Sequence, residues 1–106
     1  MITNRQYKKL LKKYGFEVEF ETTGYIKNDE YIGENGRWNQ ISEWFCEGDI
    51  LIYDRITIKK NKIVFEFKSV LCSSPKEFEN KLQNLIKNIK NMKKQIKLAK
   101  MEKDFV

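Results

Sequence analysis

Histidine is absent from these 106 residues. Its absence excludes Ser-His-Asp and Cys-His catalysis, zinc sites built on imidazole, and histidine acid–base chemistry. Any enzyme made from this chain works with carboxylates, lysines, tyrosines or hydroxyls. Cysteine is scarce. Cys46 and Cys72 are too few and too far apart for a metal ribbon, and we expect both to be reduced thiols. No window approaches the roughly 18 apolar residues needed to cross a membrane. The opening MITNRQYKKLLKKYG has no apolar core segment and does not read as a signal peptide, so the expected location is cytoplasmic.

What is present is a globular composition, 41% hydrophobic and 13% aromatic, at a length that suits one domain. The net charge of +6 is unevenly spread. Residues 1–14 carry five basic and no acidic side chains, 15–55 carry three and ten, and 56–106 carry thirteen and five. A polyanion is the natural partner of the basic parts. The competing explanation is an ordinary lysine-rich, solvated surface.

The elements read as follows. Thr3 caps a first helix, with Gln6 completing a capping box. Tyr7, Leu10, Leu11 and Tyr14 share a face, and Gly15 stops the helix. Phe16 to Glu21 alternates as a half-buried strand. Thr22 to Gly36 reads as loop, with Tyr25-Ile26 and Tyr31-Ile32 as short strand pieces. Trp38, Ile41, Trp44 and Phe45 suggest a short helix or packed loop ended by Gly48. Two strands follow, roughly 49–58 and 62–71. The final segment, 75–103, is a long amphipathic helix: Ser74 caps it, Pro75 takes its first position and Glu77 closes a capping box. Phe78, Leu82, Leu85, Ile89, Met92, Ile96 and Ala99 then form a 4-3 seam. That seam is long for so small a domain, which points to a homodimer or a partner docked on the helix. The expected fold is a single α+β domain: a helix, three mostly antiparallel strands and a long C-terminal helix.

The stretch GDILIYD, a lysine-rich turn and KIVFEFKS resembles the core of the PD-(D/E)xK nuclease superfamily, the restriction-endonuclease-like fold. The resemblance covers roughly residues 47–71 and the flanking helices. It implies that Glu66 and an upstream aspartate, Asp54, hold Mg²⁺ or Mn²⁺ and that Lys68 orients or activates the attacking water. Alternation sets Glu66 and Lys68 on one face of a strand, and paired carboxylates suit a hard cation. The hairpin register decides whether Asp54 can take part. A three-residue loop, 59–61, sets Asp54 opposite Glu66. A two-residue turn, Lys60-Asn61, sets Arg55 there and leaves Asp49 six residues away, roughly 20 Å. Patterning favours the two-residue turn, because it gathers Ile50, Ile52, Ile56, Ile58, Ile63, Phe65, Phe67 and Leu71 on one face. Glu66 is then a wet-face partner of Arg55, unless a bulge re-aims it.

The order helix, three strands, helix also resembles the double-stranded-RNA-binding domain, whose last helix opens with phosphate-binding lysines. Here that opening is Ser-Ser-Pro-Lys-Glu-Phe-Glu, with two acids. Lys87, Lys90, Lys94 and Lys97 can track a phosphate backbone, or form the solvated side of the helix. Tyr25, Tyr31, Trp38, Trp44 and Phe45 crowd a loop-rich region, where they can form a stacking platform for bases, the anchor of a protein interface, or core; Trp38, beside Gly36-Arg37, is the one expected to be exposed. Trp44 and Phe45 are expected in the core.

Two functional classes remain open. One is a small basic nucleic-acid-associated protein, with metal-dependent phosphodiester hydrolysis as its catalytic form. The other is a non-catalytic inhibitor from a phage or mobile element, similar in character to anti-CRISPR proteins, binding a host nucleic-acid-processing complex.

Overall fold

The computed structural model describes residues 1–33, 38–66 and 68–104, with side chains as far as Met101. Helix α1, Asn4–Lys13, begins at the expected capping box. Thr3 Oγ1 accepts from the Gln6 backbone N–H at 3.2 Å, and Gln6 Oε1 accepts from the Thr3 N–H at 3.0 Å. Tyr7 and Leu11 are its buried residues, and Gly15, at φ +83°, ends it.

Seven strands follow: β1 Glu17–Glu19, β2 Thr23–Lys27, β3 Trp38–Trp44, β4 Ile50–Ile52, β5 Ile56–Lys59, β6 Lys62–Phe65 and β7 Val70–Cys72. Five form an antiparallel sheet in the order β1-β2-β3-β4-β7, while β5 and β6 form a separate hairpin. The fold is thus α+β as expected, with more strands than the three read from the sequence.

Three local readings are corrected. The strand from Phe16 stops at Glu19. Phe20 and Glu21 turn through positive φ (56° and 63°), leaving Phe20 83% exposed. Helix α1 holds this turn: the Asn4 side-chain amide donates to the Glu21 carbonyl at 2.6 Å, and Lys8 pairs with the Glu21 carboxylate. The segment expected as a short helix or packed loop is strand β3. Gly24 pairs with Ser42 and Tyr25 with Gln40, so Ile41 is an extra residue. That bulge breaks the period of two and makes Trp38, Ile41 and Trp44 mimic a helical spacing.

The third correction concerns the long hairpin. Its turn is the two-residue Lys60-Asn61, both at positive φ (51° and 63°), and Ile56 pairs with Phe65 and Ile58 with Ile63. This is the register that patterning favoured. Pairing resumes at Ile52 with Val70, one residue out of step with the hairpin register. The one-residue slip reverses the faces beyond it. Val70 turns inward and half-buried and Cys72 is fully buried, while Leu71, expected in the core, is 51% exposed. Phe67 lies outside the described residues.

Helix α2, Pro75–Asp104, starts where Ser74 Oγ accepts from the Glu77 N–H at 3.2 Å. The Glu77 carboxylate accepts from Ser73 N–H rather than from the cap residue itself. Phe78, Leu82, Leu85, Ile89 and Ile96 are buried, with Ile96 only 1% exposed. The chain therefore covers its own seam as far as Ile96, and no second copy is needed for that length. Ala99 is exposed.

Both helices lie on one face of the sheet. Tyr7 packs against Phe78 with ring centroids 5.5 Å apart, and its hydroxyl bonds to Ser42 Oγ on β3 at 2.8 Å. Gly24 on β2 permits this approach: a Cβ there would stand 2.5 Å from Ser42 Oγ and 2.8 Å from Leu11 Cδ1. Among the described residues, no helix is long and apolar enough to cross a membrane.

Candidate nucleic-acid interface

The register sets Arg55, not Asp54, across the hairpin from Glu66. Asp54 follows β4, and its carboxylate lies 3.3 Å from Lys81 Nζ on α2. Glu66 is exposed, and its backbone N–H donates to the Arg55 carbonyl at 2.9 Å. It borders a cavity of about 100 Å³ with Asn39, Gln40, Tyr53 and Phe65. Lys68 is exposed. Among the described residues, no group of three or more acids and cysteines is arranged to hold a metal. A two-carboxylate Mg²⁺ or Mn²⁺ site would draw on Asp54 and Glu66. Asp54 is engaged by Lys81, and the backbone partner of Glu66 across the hairpin is Arg55.

A row of basic residues, by contrast, lies along α2. Lys87, Lys90, Lys94 and Lys97 are all exposed on α2, away from the buried Ile89 and Ile96. Lys59 and Lys60 form the exposed tip of the β5–β6 hairpin, which packs beside the same helix. The segment 28–33 joins the hairpin through Ile63 of β6: Ile63 N–H donates to the Tyr31 carbonyl at 2.6 Å, and Gly33 N–H to the Ile63 carbonyl at 2.8 Å. Lys93, Lys97 and Lys100 surround the Tyr31 ring, with Nζ atoms 5.9, 5.6 and 5.4 Å from its centroid. That is cation–π distance.

One acid tempers this charge. Asp29 accepts from Lys93 Nζ at 2.9 Å and from the Tyr31 N–H at 2.7 Å. Burial raises its pKa, but these bonds outweigh burial and hold the carboxyl below its ordinary range. Among the described residues, Lys87, Lys90, Lys94 and Lys97 have no carboxylate within salt-bridge reach. A row of lysines without carboxylate partners on one helix face is a suitable track for phosphates.

Trp38 is 43% exposed, as expected, whereas Arg37 lies outside the described residues. Trp44 is half-buried, with its indole N–H donating to the Ile2 carbonyl at 2.8 Å. Phe45, expected in the core, is 38% exposed because it opens the turn after β3. Tyr31 was among the aromatics that sequence reasoning offered for stacking, but the lysines around it were not foreseen. Its lysine partners lie more than sixty positions away, and no local spacing reveals them. Comparison with family models, curated proteins and solved structures finds no match to this chain.

Proposed function

We propose that this chain is a small, basic, nucleic-acid-associated protein that holds a phosphate backbone along the outer face of α2. The observation that carries this reading is the row Lys87, Lys90, Lys94 and Lys97, exposed and free of carboxylate partners among the described residues. The row spans about 15 Å at 1.5 Å per residue. Lys59 and Lys60 add charge beside it, and Tyr31 offers an aromatic face among lysines. Contacts of this kind follow backbone charge rather than base sequence.

The test is an anisotropy titration of labelled 20-residue single-stranded DNA, duplex DNA and duplex RNA at low salt. Binding should be detectable and should weaken roughly a hundredfold when Lys90, Lys94 and Lys97 are changed together to Glu. No binding at low salt would overturn the reading. The inhibitor reading, in which the chain binds a host nucleic-acid-processing protein, would then stand first. The nuclease reading is tested separately, by Mg²⁺- or Mn²⁺-dependent cleavage that EDTA abolishes and Glu66→Gln or Lys68→Ala impairs.

A further inference from the structure

The face of the sheet opposite the helices carries one continuous row. Glu19, Thr23, Glu43, Leu51 and Leu71 are successive cross-strand partners, one on each of the five strands. The neighbouring row, Val18, Gly24, Ser42, Ile52 and Val70, points inward to the helices. At about 4.8 Å between strands, the outer row is about 19 Å long. Its acids lie towards one end and its leucines at the other. Leu51 and Leu71 face each other directly on the side away from the core, with Leu71 51% exposed.

Helix α2 carries a matching stripe. Lys87, Lys90, Lys94, Leu98 and Met101 recur at spacings of three and four, so they share one outward face. All are exposed, Leu98 by 59% and Met101 by 55%. The stripe is about 21 Å long at 1.5 Å per residue. It is basic at one end and apolar at the other. Length, sign and order therefore agree between stripe and row: lysines against acids, Leu98 and Met101 against Leu51 and Leu71. Within one molecule the two cannot meet. Helix α2 packs on the inner face of the sheet, so its outward stripe turns away from the outer row.

We propose that the occupant of the outer row is the α2 stripe of a second copy of this chain. The contact is head-to-tail. Each copy offers one row and one stripe, so association continues past a dimer unless the chain of copies closes into a ring. The lysines involved are also those assigned to phosphate binding, so nucleic acid and self-association compete for one surface. Neither contact depends on the other, and the test below uses nucleic-acid-free protein.

Sedimentation velocity of the full chain, at about 200 μM and about 50 mM salt, should show growth beyond a dimer that high salt reverses. Leu71→Glu removes the row and Leu98→Glu removes the stripe, and each alone should weaken association roughly tenfold or more. Both positions are exposed, and both variants should still bind nucleic acid through their lysines. Mixed in equal amounts, the two variants should give a 1:1 dimer and nothing larger. Only one junction, the intact stripe on the intact row, survives in the mixture. A monomeric wild-type chain would overturn the proposal. So would a dimer that persists in Leu71→Glu, or a mixture that stays monomeric.

Discussion

Asp54 separates the two explanations of the hairpin most sharply. The change Asp54→Asn removes one charge and keeps the shape. Its carboxylate lies 3.3 Å from Lys81 Nζ, with side chains 20% and 34% exposed. A pair so placed is partly screened by solvent, and its loss should cost about 0.5–1 kcal/mol. For a domain of this size that lowers Tm by about 2–6 °C. A metal site makes a different demand. If Asp54 and Glu66 held Mg²⁺ with a Kd of about 50 μM, then about 5 mM Mg²⁺ would stabilise the wild-type chain by about 2.7 kcal/mol. That would raise Tm by more than about 10 °C. The assay is thermal unfolding of both proteins with and without Mg²⁺ or Mn²⁺, at matched ionic strength. The expected outcome is a small loss in Asp54→Asn and no metal-dependent shift in either protein. A large metal-dependent rise in the wild type that Asp54→Asn abolishes would refute the ion-pair assignment.

Three further outcomes concern the core. Ser42→Ala leaves the buried Tyr7 hydroxyl without its 2.8 Å partner and should cost about 1–3 kcal/mol in urea unfolding; adding Tyr7→Phe should recover part of that, and a fully additive double variant would contradict the coupling. Burial, reinforced by the Glu77 carboxylate, pushes the Cys72 thiol up to about 11, and burial likewise raises Tyr7. Both folded-state values lie above the unfolded ones, so this stability is complete below about pH 9 and is lost as pH rises through about 11. The urea midpoint should fall between about pH 9 and pH 11, and a flat profile would contradict it. A thiol reagent at pH 8 should label exposed Cys46 at once and Cys72 only on unfolding; equal rates would place Cys72 at the surface.

The helices were legible because their signals are local. Thr3 with Gln6, Ser74 with Pro75 and Glu77, and the apolar seam each fix a boundary or a face within a few residues. The hairpin register was legible too, because Ile56, Ile58, Ile63 and Phe65 share one side only with a two-residue turn. The rest turned on single-residue slips. The bulge at Ile41 disguised β3 as a helix, and the one-residue change of register between β6 and β7 turned Leu71 outward. Periodicity is read modulo two, so one inserted residue inverts it. Within the candidate interface, the lysine row on α2 was visible as a helical stripe. The gathering of Lys93, Lys97 and Lys100 around Tyr31 was not, because it depends on the 28–33 segment lying against β6.

The most direct measurement of the central claim is the salt dependence of duplex DNA binding. Four lysines on phosphates should give a slope of log K against log salt of about −3.6. Between about 50 and 200 mM salt the affinity should then fall by roughly 150-fold. In the Lys90, Lys94 and Lys97 to Glu variant the slope should drop to about −1, counting Lys87 alone. A wild-type slope near zero, or a steep slope unchanged in the variant, would contradict a phosphate track along α2.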